Sequence, residues 1–254
     1  MQKSNILGVG ITTEKEDKIL EYIIKDLGKP KKKRQKIVIF TPNPEQISQA
    51  SRDEELKTLL NQAEIALPDG VFVPVAARLL RAPIDRRITG VDFMKSLVKT
   101  VSAPIKSGSE QPVVTGYLGG QRGVAEKAAN CLRKIYPNLR VGYASEAYDR
   151  QRMIRSDIDI LFVALGFPKQ EKWIIEHKDE IPATVLMGVG GAFDFISGAV
   201  PRAPKFVRDI GFEWLFRLTI QPWRFKRQLQ IWHFAGLIFA RALSNRVKKM
   251  KNER

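Results

Sequence analysis

Short apolar runs rich in Val, Ile and Leu alternate with longer amphipathic stretches along most of this 254-residue chain. That alternation leaves few folds open. A strand followed by a helix returns to its sheet in parallel, so the pattern predicts an α/β fold with mostly parallel sheets. "NILGVGI" reads as a first strand. "EKEDKILEYIIKDLG" follows as an amphipathic helix with Ile19, Tyr22, Ile23 and Leu27 on one face and Gly28 as its stop. "IVIF" is a buried strand that runs into "TPNPEQ". A helix from about Pro44 to Ala63 leads to "EIALP", a short strand ending at Asp69.

The second half keeps the rhythm. "PVVTGYLGG" is a strand entering a glycine turn, and "QRGVAEKAANCLRKIYP" is its helix. "LRVGYAS", "IDILFVALG" and "ATVLMGVGG" are strands, with "FPKQEKWIIEHKD" as a turn and helix. This half reads as a Rossmann-like nucleotide-binding unit. Soft boundaries fall in "SAPIKSGSEQP" and near Pro201–Pro204. They divide the chain into 1–105, an α/β half, 106–200, a Rossmann-like nucleotide-binding half, and 201–254, a basic helical appendage.

Charge narrows the partners. The chain holds 43 Lys+Arg against 27 Asp+Glu, a net +16, and residues 201–254 carry thirteen of the cations and three of the anions. An anionic partner follows: nucleic acid, acidic lipid headgroups or a phosphorylated substrate. "KPKKKRQK" has no interleaved aromatic residue and reads as a solvated loop. The single cysteine, Cys131, excludes an intrachain disulfide and lies at helical spacing as a buried structural thiol. "ILGVGI" is too short for a signal peptide, and no apolar run reaches the roughly 18–20 residues a membrane span needs. The expected location is the cytoplasm, with attachment to a membrane surface.

Ligands of open α/β sheets sit beyond the carboxyl ends of the strands. Polar residues collect there: Thr41 and Asn43 after "IVIF", Asp69 in "ALPDGV", Gly119, Gly120 and Gly123 after "VVTGY", Lys169 and Gln170 after "LFVALG", and Asp194 after "VLMGVGG". A carboxylate between a proline and a glycine is costly core packing, so Asp69 is read as a candidate site residue. "LGGQRG" is a candidate phosphate cradle, although Leu118 stands where a first glycine should be; a plain tight turn is the alternative. "DID", Asp157 to Asp159, enters a strand and so lies at the opposite, amino edge. His177 and His233 lack ligand spacing, so no metal is expected. Cations then have to offset a diphosphate: Arg87 in "DRRITG", and Arg202, Arg217, Arg224 and Arg227 in the tail.

"TPNPEQ", "ALPDGV", "RRITGVDFM", "GYLGGQRGVAEKAA", "LGFPKQEKW", "GVGGAFDFISGAVPRAP" and "GFEWLFRL" occur in this order, from about Asn5 to Arg227. Together they resemble the WecG/TagA/CpsF glycosyltransferases, glycosyltransferase family 26. The resemblance implies an inverting, metal-independent transfer of a sugar from a UDP-sugar to a polyprenyl-diphosphate-linked sugar, without a cofactor. N-acetylmannosamine added to N-acetylglucosaminyl-diphosphoundecaprenol is the first reading, in teichoic-acid or other surface-polymer synthesis. Another UDP-sugar, in exopolysaccharide or common-antigen synthesis, is the alternative. The family's general base falls on Asp69, its Thr-x-Asn element on Thr41 and Asn43, and its basic residue on Arg87. Its K-Q-E element falls on Lys169, Gln170 and Glu171, and its tail arginines on Arg217, Arg224 and Arg227. Many members read Glu-Pro where this chain reads Gln221-Pro222.

On this reading the diphosphate lies near Gly119–Gly123 and the tail arginines. The tail "WRFKRQLQIWHFAGLIFARALSNRVKKMK" is helical in pattern and suits an anionic membrane surface, with packing on the core or a second copy as rivals. A homo-oligomer is compatible with the sequence. A nucleotide- or nucleic-acid-binding module is the non-enzymatic rival, and nucleic acid is not the expected partner.

Overall fold

The structure, a computed structural model, describes residues 1–103, 112–222 and 225–252. Its centre is a six-stranded parallel sheet of β3 (Ile37–Phe40), β4 (Ile65–Ala66), β5 (Val114–Gly119), β6 (Arg140–Ser145), β7 (Ile160–Ala164) and β8 (Val185–Gly188). The spatial order is β4-β3-β8-β7-β5-β6. β3 pairs with β8 in register Ile37↔Val185, so strands from both halves of the chain share one sheet. The expected boundary between those halves falls mainly on 104–111, outside the described residues.

Side chains leave the strands alternately towards two layers. Ile37, Ile39, Ile160, Phe162, Val185 and Met187 face a core built with α1 (Glu16–Leu27), α5 (Gly90–Ser102), α6 (Val124–Ile135) and α9 (Ala192–Ile196). Val38, Phe40, Leu161, Val163 and Leu186 face the other core, which takes residues from α2 (Pro44–Ala50), α3 (Glu54–Asn61), α4 (Phe72–Leu80), α7 (Arg150–Arg155) and α8 (Lys169–His177). Strands covered on both faces must be apolar throughout, which is why "IVIF" and "ILFVA" are buried at every position.

Three expectations change. "NILGVGI" is an antiparallel hairpin of β1 (Lys3–Ile6) and β2 (Val9–Thr12), set apart from the main sheet, not one strand. Leu7 and Gly8 turn the chain there with φ of 51° and 93°, the left-handed pair that a two-residue hairpin requires. The helix expected over 44–63 breaks at Ser51–Asp53, because Asp53 caps a new helix by accepting the Leu56 N–H at 3.0 Å. Cys131 is half-buried on α6 rather than sealed in the core.

The last segment forms α10 (Lys205–Asp209), α11 (Glu213–Ile220) and α12 (Phe225–Asn252). α12 lies against α2 and α4, with Phe234 and Ile238 buried in the core. His233 Nδ1 pairs with Ser48 Oγ at 2.8 Å, and Arg52 donates to Gln230 Oε1 at 2.6 Å. The opposite side of α12 is an exposed apolar stripe of Leu229, Trp232, Phe239, Leu243 and Val247. No helix among the described residues is long and apolar enough to cross a membrane.

Candidate active site

The sheet order fixes where a ligand fits. From β5 the chain goes outward to β6 on one side, then returns to β7 on the other. The β5/β7 gap is therefore a topological switch point, where two loops part and leave a crevice beyond the carboxyl ends. A cavity of about 670 Å³ lies there, walled by Gly120, Gln121, Gly166, Lys169, Trp173 and Asp194. Gly166, Gly190 and Gly191 also line a second cavity of about 230 Å³, together with Thr41, Asn43 and Gln170. Asp69 and Arg217 line that second cavity and a third of about 200 Å³, walled by Arg87, Phe195, Glu213 and Trp214. The three form one trough from the switch point to Asp69.

The β4 end positions Asp69. Leu67 N–H donates to Phe40 O at 2.9 Å, Asp69 N–H to Pro42 O at 3.2 Å, and Ile88 N–H to Pro68 O at 3.0 Å. The "PDG" turn is pinned between the loop after β3 and the approach to α5. Gly70 is needed at φ 81°, and its N–H donates to Asp69 Oδ1 at 2.8 Å. Burial pushes the Asp69 carboxyl up to about 6. The Gly70 N–H opposes the rise, the Glu213 carboxylate adds to it, and the Arg87 and Arg217 guanidinium groups oppose it. A carboxylate held near 6 is ionised at neutral pH yet more basic than a solvated one, which suits a general base.

The neighbours are built from capping and close approach. Asn43 caps α2: its Oδ1 accepts the Gln46 N–H at 3.1 Å and Gln46 Oε1 accepts its N–H at 3.3 Å. That leaves the Asn43 amide nitrogen as its donating end. Thr41 is buried, and a Cβ on Gly90 would come within 3.0 Å of its methyl. Arg87 donates from Nη2 to Arg208 O at 3.0 Å, tying it to α10. Arg217 lies 4.7 Å over the Phe195 ring and so close to Gly191 that a Cβ there would meet its Nη2 at 2.7 Å. Gln170 accepts the Gly190 N–H at 3.0 Å and donates to Glu171 Oε1 at 2.9 Å. Glu171 is fully buried, its Oε2 has no hydrogen-bond partner, and burial pushes its carboxyl up to about 7 against the Gln170 hydrogen bond.

The structure brings together Thr41, Asn43, Asp69, Arg87, Gln170 and Arg217, and places Gly120, Lys169 and Asp194 at the far end of the trough. Others stand differently. The Gly120 N–H is spent on Ala164 O at 2.9 Å, and the Gly123 N–H on the Glu146 carboxylate at 3.2 Å. The glycine turn thus binds its own sheet and already holds an anion. Gly119 is required by packing, since a Cβ there would sit 2.7 Å from Ala164 O. Glu171 lies behind Gln170 as its support. Arg202 lines the Asp69 cavity, but its guanidinium is held by Asp92 and Glu213. Arg227 is on α12, and Arg224 lies outside the described residues. Residue-type reasoning missed Glu213, Trp214 and Phe195. The first two sit in "GFEWLFRL", where only Arg217 had been singled out.

"DID" is accounted for at the amino edge. Asp159 accepts from Arg34 Nη1 at 2.6 Å and from the Val114 N–H at 2.7 Å, and Lys31 pairs with Asp157 at 2.6 Å. The basic run after α1 therefore locks the start of β7.

The sequence model of the Glycosyl transferase WecG/TagA/CpsF family matches residues 4–248. The chain belongs to this family. Among its relatives is the N-acetylglucosaminyldiphosphoundecaprenol N-acetyl-beta-D-mannosaminyltransferase of Bacillus subtilis (strain 168), 35% identical over 78% of this chain and 77% of that protein. The protein of the same name from Staphylococcus aureus (strain NCTC 8325 / PS 47) is 34% identical over 72% of each chain. Membership of the WecG/TagA/CpsF family makes the chain a glycosyltransferase.

Proposed function

We propose that this WecG/TagA/CpsF member transfers N-acetylmannosamine from UDP-N-acetylmannosamine to N-acetylglucosaminyl-diphosphoundecaprenol, with inversion at the anomeric carbon. One observation carries the reading: a half-buried carboxylate, Asp69, pushed up to about 6 beside two guanidinium groups, in a trough continuous with the switch-point crevice. The nucleoside end of the donor occupies the crevice. Because the Gly120 and Gly123 amides are committed, the diphosphate lies towards Gly190–Gly191, Lys169 and Arg217. The acceptor hydroxyl stands between Asp69 and the anomeric carbon. Its oxygen bonds to that carbon from the face opposite UDP, its proton passes to Asp69, and the carbon–oxygen bond to UDP breaks with both electrons leaving on the diphosphate. Arg217 and Lys169 offset the charge that develops, so the step needs no divalent ion.

The exposed stripe on α12 supports a place on an anionic bilayer, where the lipid-linked acceptor resides. Leu229, Trp232, Phe239 and Leu243 are exposed, and Arg241 and Arg246 stand in the C-terminal half of the helix with Phe239 and Leu243. Cations near such a surface contribute about 1 kcal/mol each. The test is a donor screen with a short-chain lipid-diphosphate N-acetylglucosamine acceptor, with and without EDTA. Transfer from UDP-N-acetylmannosamine that survives EDTA and fails in Asp69→Asn is expected. Transfer from another UDP-sugar alone would move the chain to another branch of the family.

A further inference from the structure

Arg202 differs from the other arginines at the trough. Its Nη1 and Nη2 donate to Asp92 Oδ1 and Oδ2 at 2.6 and 2.7 Å, and its Nε donates to Glu213 Oε1 at 3.2 Å. All three guanidinium nitrogens are engaged by two carboxylates, and the side chain is 14% exposed. Asp92 is braced in turn from the core. Thr89 Oγ1 donates to Asp92 Oδ2 at 2.6 Å and accepts the Asp92 N–H at 3.2 Å. Arg208 adds a guanidinium nitrogen 3.8 Å from Asp92 Oδ1.

The linkage therefore runs from the first turn of α5, a core helix, through one arginine to the first turn of α11 in the appendage. Carboxylates at both helix starts are favourable in themselves. A two-pronged guanidinium–carboxylate pair adds direction as well as strength. Beyond it, α11 presents Trp214 and Arg217 to the Asp69 cavity, with Trp214 against Phe72 at 6.3 Å between ring centroids.

We propose that Asp92 and Arg202 are positioning residues that fasten α11 across the Asp69 cavity and so set where Glu213, Trp214 and Arg217 stand. The proposal rests on the glycosyl-transfer reading of that cavity, and it removes Arg202 from the ligands of the diphosphate. Two neighbouring ties, Arg87 to Arg208 O at 3.0 Å and the close approach of Gly211 to Val71, hold α10 and its turn independently. Losing the fastening loosens α11 without releasing the whole appendage. The depressed Asp92 carboxyl agrees with this. Burial would raise it, but hydrogen bonds from Arg202 and Thr89 hold it at about 2, so the link is charged wherever the enzyme works.

The experiment uses the full chain, UDP-N-acetylmannosamine and a short-chain lipid-diphosphate N-acetylglucosamine acceptor. The variants are Asp92→Asn, Arg202→Gln, Arg202→Lys and the double variant Asp92→Asn/Arg202→Gln. Each single change is expected to lower kcat about tenfold with the donor KM within about twofold, and the double to be no worse than the worse single, since both cut one link. Arg202→Lys recovers little, because an ammonium cannot form the fork. Amide hydrogen exchange is expected to quicken over α11, residues 213–220, in every variant and to stay unchanged in β3, β7 and β8.

A donor KM raised about tenfold in Arg202→Gln, with Asp92→Asn at wild-type rates, would make Arg202 a diphosphate ligand and overturn the proposal. So would additive losses, or unaltered exchange over 213–220. Should Asp92→Asn fail to fold, Arg202→Lys carries the same comparison. A wild-type chain that moves no sugar from any donor defeats the transfer reading instead; the exchange result still decides the fastening.

Discussion

Two aspartates stand at opposite ends of the same sheet, each with arginines nearby, and the protein treats them in opposite ways. At the amino edge, Asp159 is closed off: Arg34 and the Val114 N–H hold it at 2.6 and 2.7 Å, and its side chain is 5% exposed. At the carboxyl edge, Asp69 accepts the N–H of its own neighbour, Gly70, and feels Arg87 and Arg217 only through space. Pairing satisfies the first and makes it a fastener. Partial burial with little direct pairing keeps the second basic, as its proposed role requires. Proximity to arginine does not separate the two carboxylates; the number of direct hydrogen bonds does.

The widest separation should come from exchanging the two sites' chemistry. Asp69→Asn is expected to lower turnover by about 10²–10⁴-fold, the usual worth of a general base. Asp159→Ala should leave turnover per folded molecule near wild type but cost about 3 kcal/mol in denaturant unfolding, as breaking a buried pair does. Arg217→Ala is next, at about 10²-fold in kcat, because it removes charge stabilisation at the leaving diphosphate; Lys31→Ala at the amino edge should leave kcat unchanged.

A subtler contrast lies in stability against pH. The folded pKa of Asp69, about 6, stands above the ordinary carboxylate value, so its contribution is fully present below about pH 4 and lost as pH rises through 6. Asp69→Asn should therefore be more stable than wild type by on the order of 2 kcal/mol at pH 8, and show no such gain at pH 4. The smallest effect concerns Glu171. Its carboxyl, pushed up to about 7, is neutral below that pH and, above it, a buried anion whose Oε2 has no hydrogen-bond partner. Wild-type kcat/KM should decline above about pH 7, whereas Glu171→Gln should hold its rate there.

Much of the architecture was written locally. "IVIF" and "ILFVA" declared themselves because strands covered on both faces have to be apolar at every position. Asp69 was legible because a charge between proline and glycine at a strand end has no packing use. What escaped depended on single residues or distant partners. Leu7–Gly8 turned an apparently continuous strand into a hairpin, and Asp53 split a helix by capping. The wall that Glu213, Trp214 and Phe195 build around Asp69 exists only through packing of segments more than a hundred residues apart, and no spacing records that. The same applies to Arg202: its type suggested an anion ligand, and only coordinates reveal that Asp92 and Glu213 already fill the role.

The central claim is that Asp69, ionised in a half-buried cavity, accepts the proton of the acceptor hydroxyl. The pH profile of kcat/KM for the wild-type chain tests it most directly, with a short-chain lipid-diphosphate acceptor. A rate that falls tenfold per pH unit below an inflection at about 6, in step with the carboxyl of Asp69, is predicted. A profile flat down to about pH 4.5, or one whose inflection is unmoved in Asp69→Asn, would contradict it.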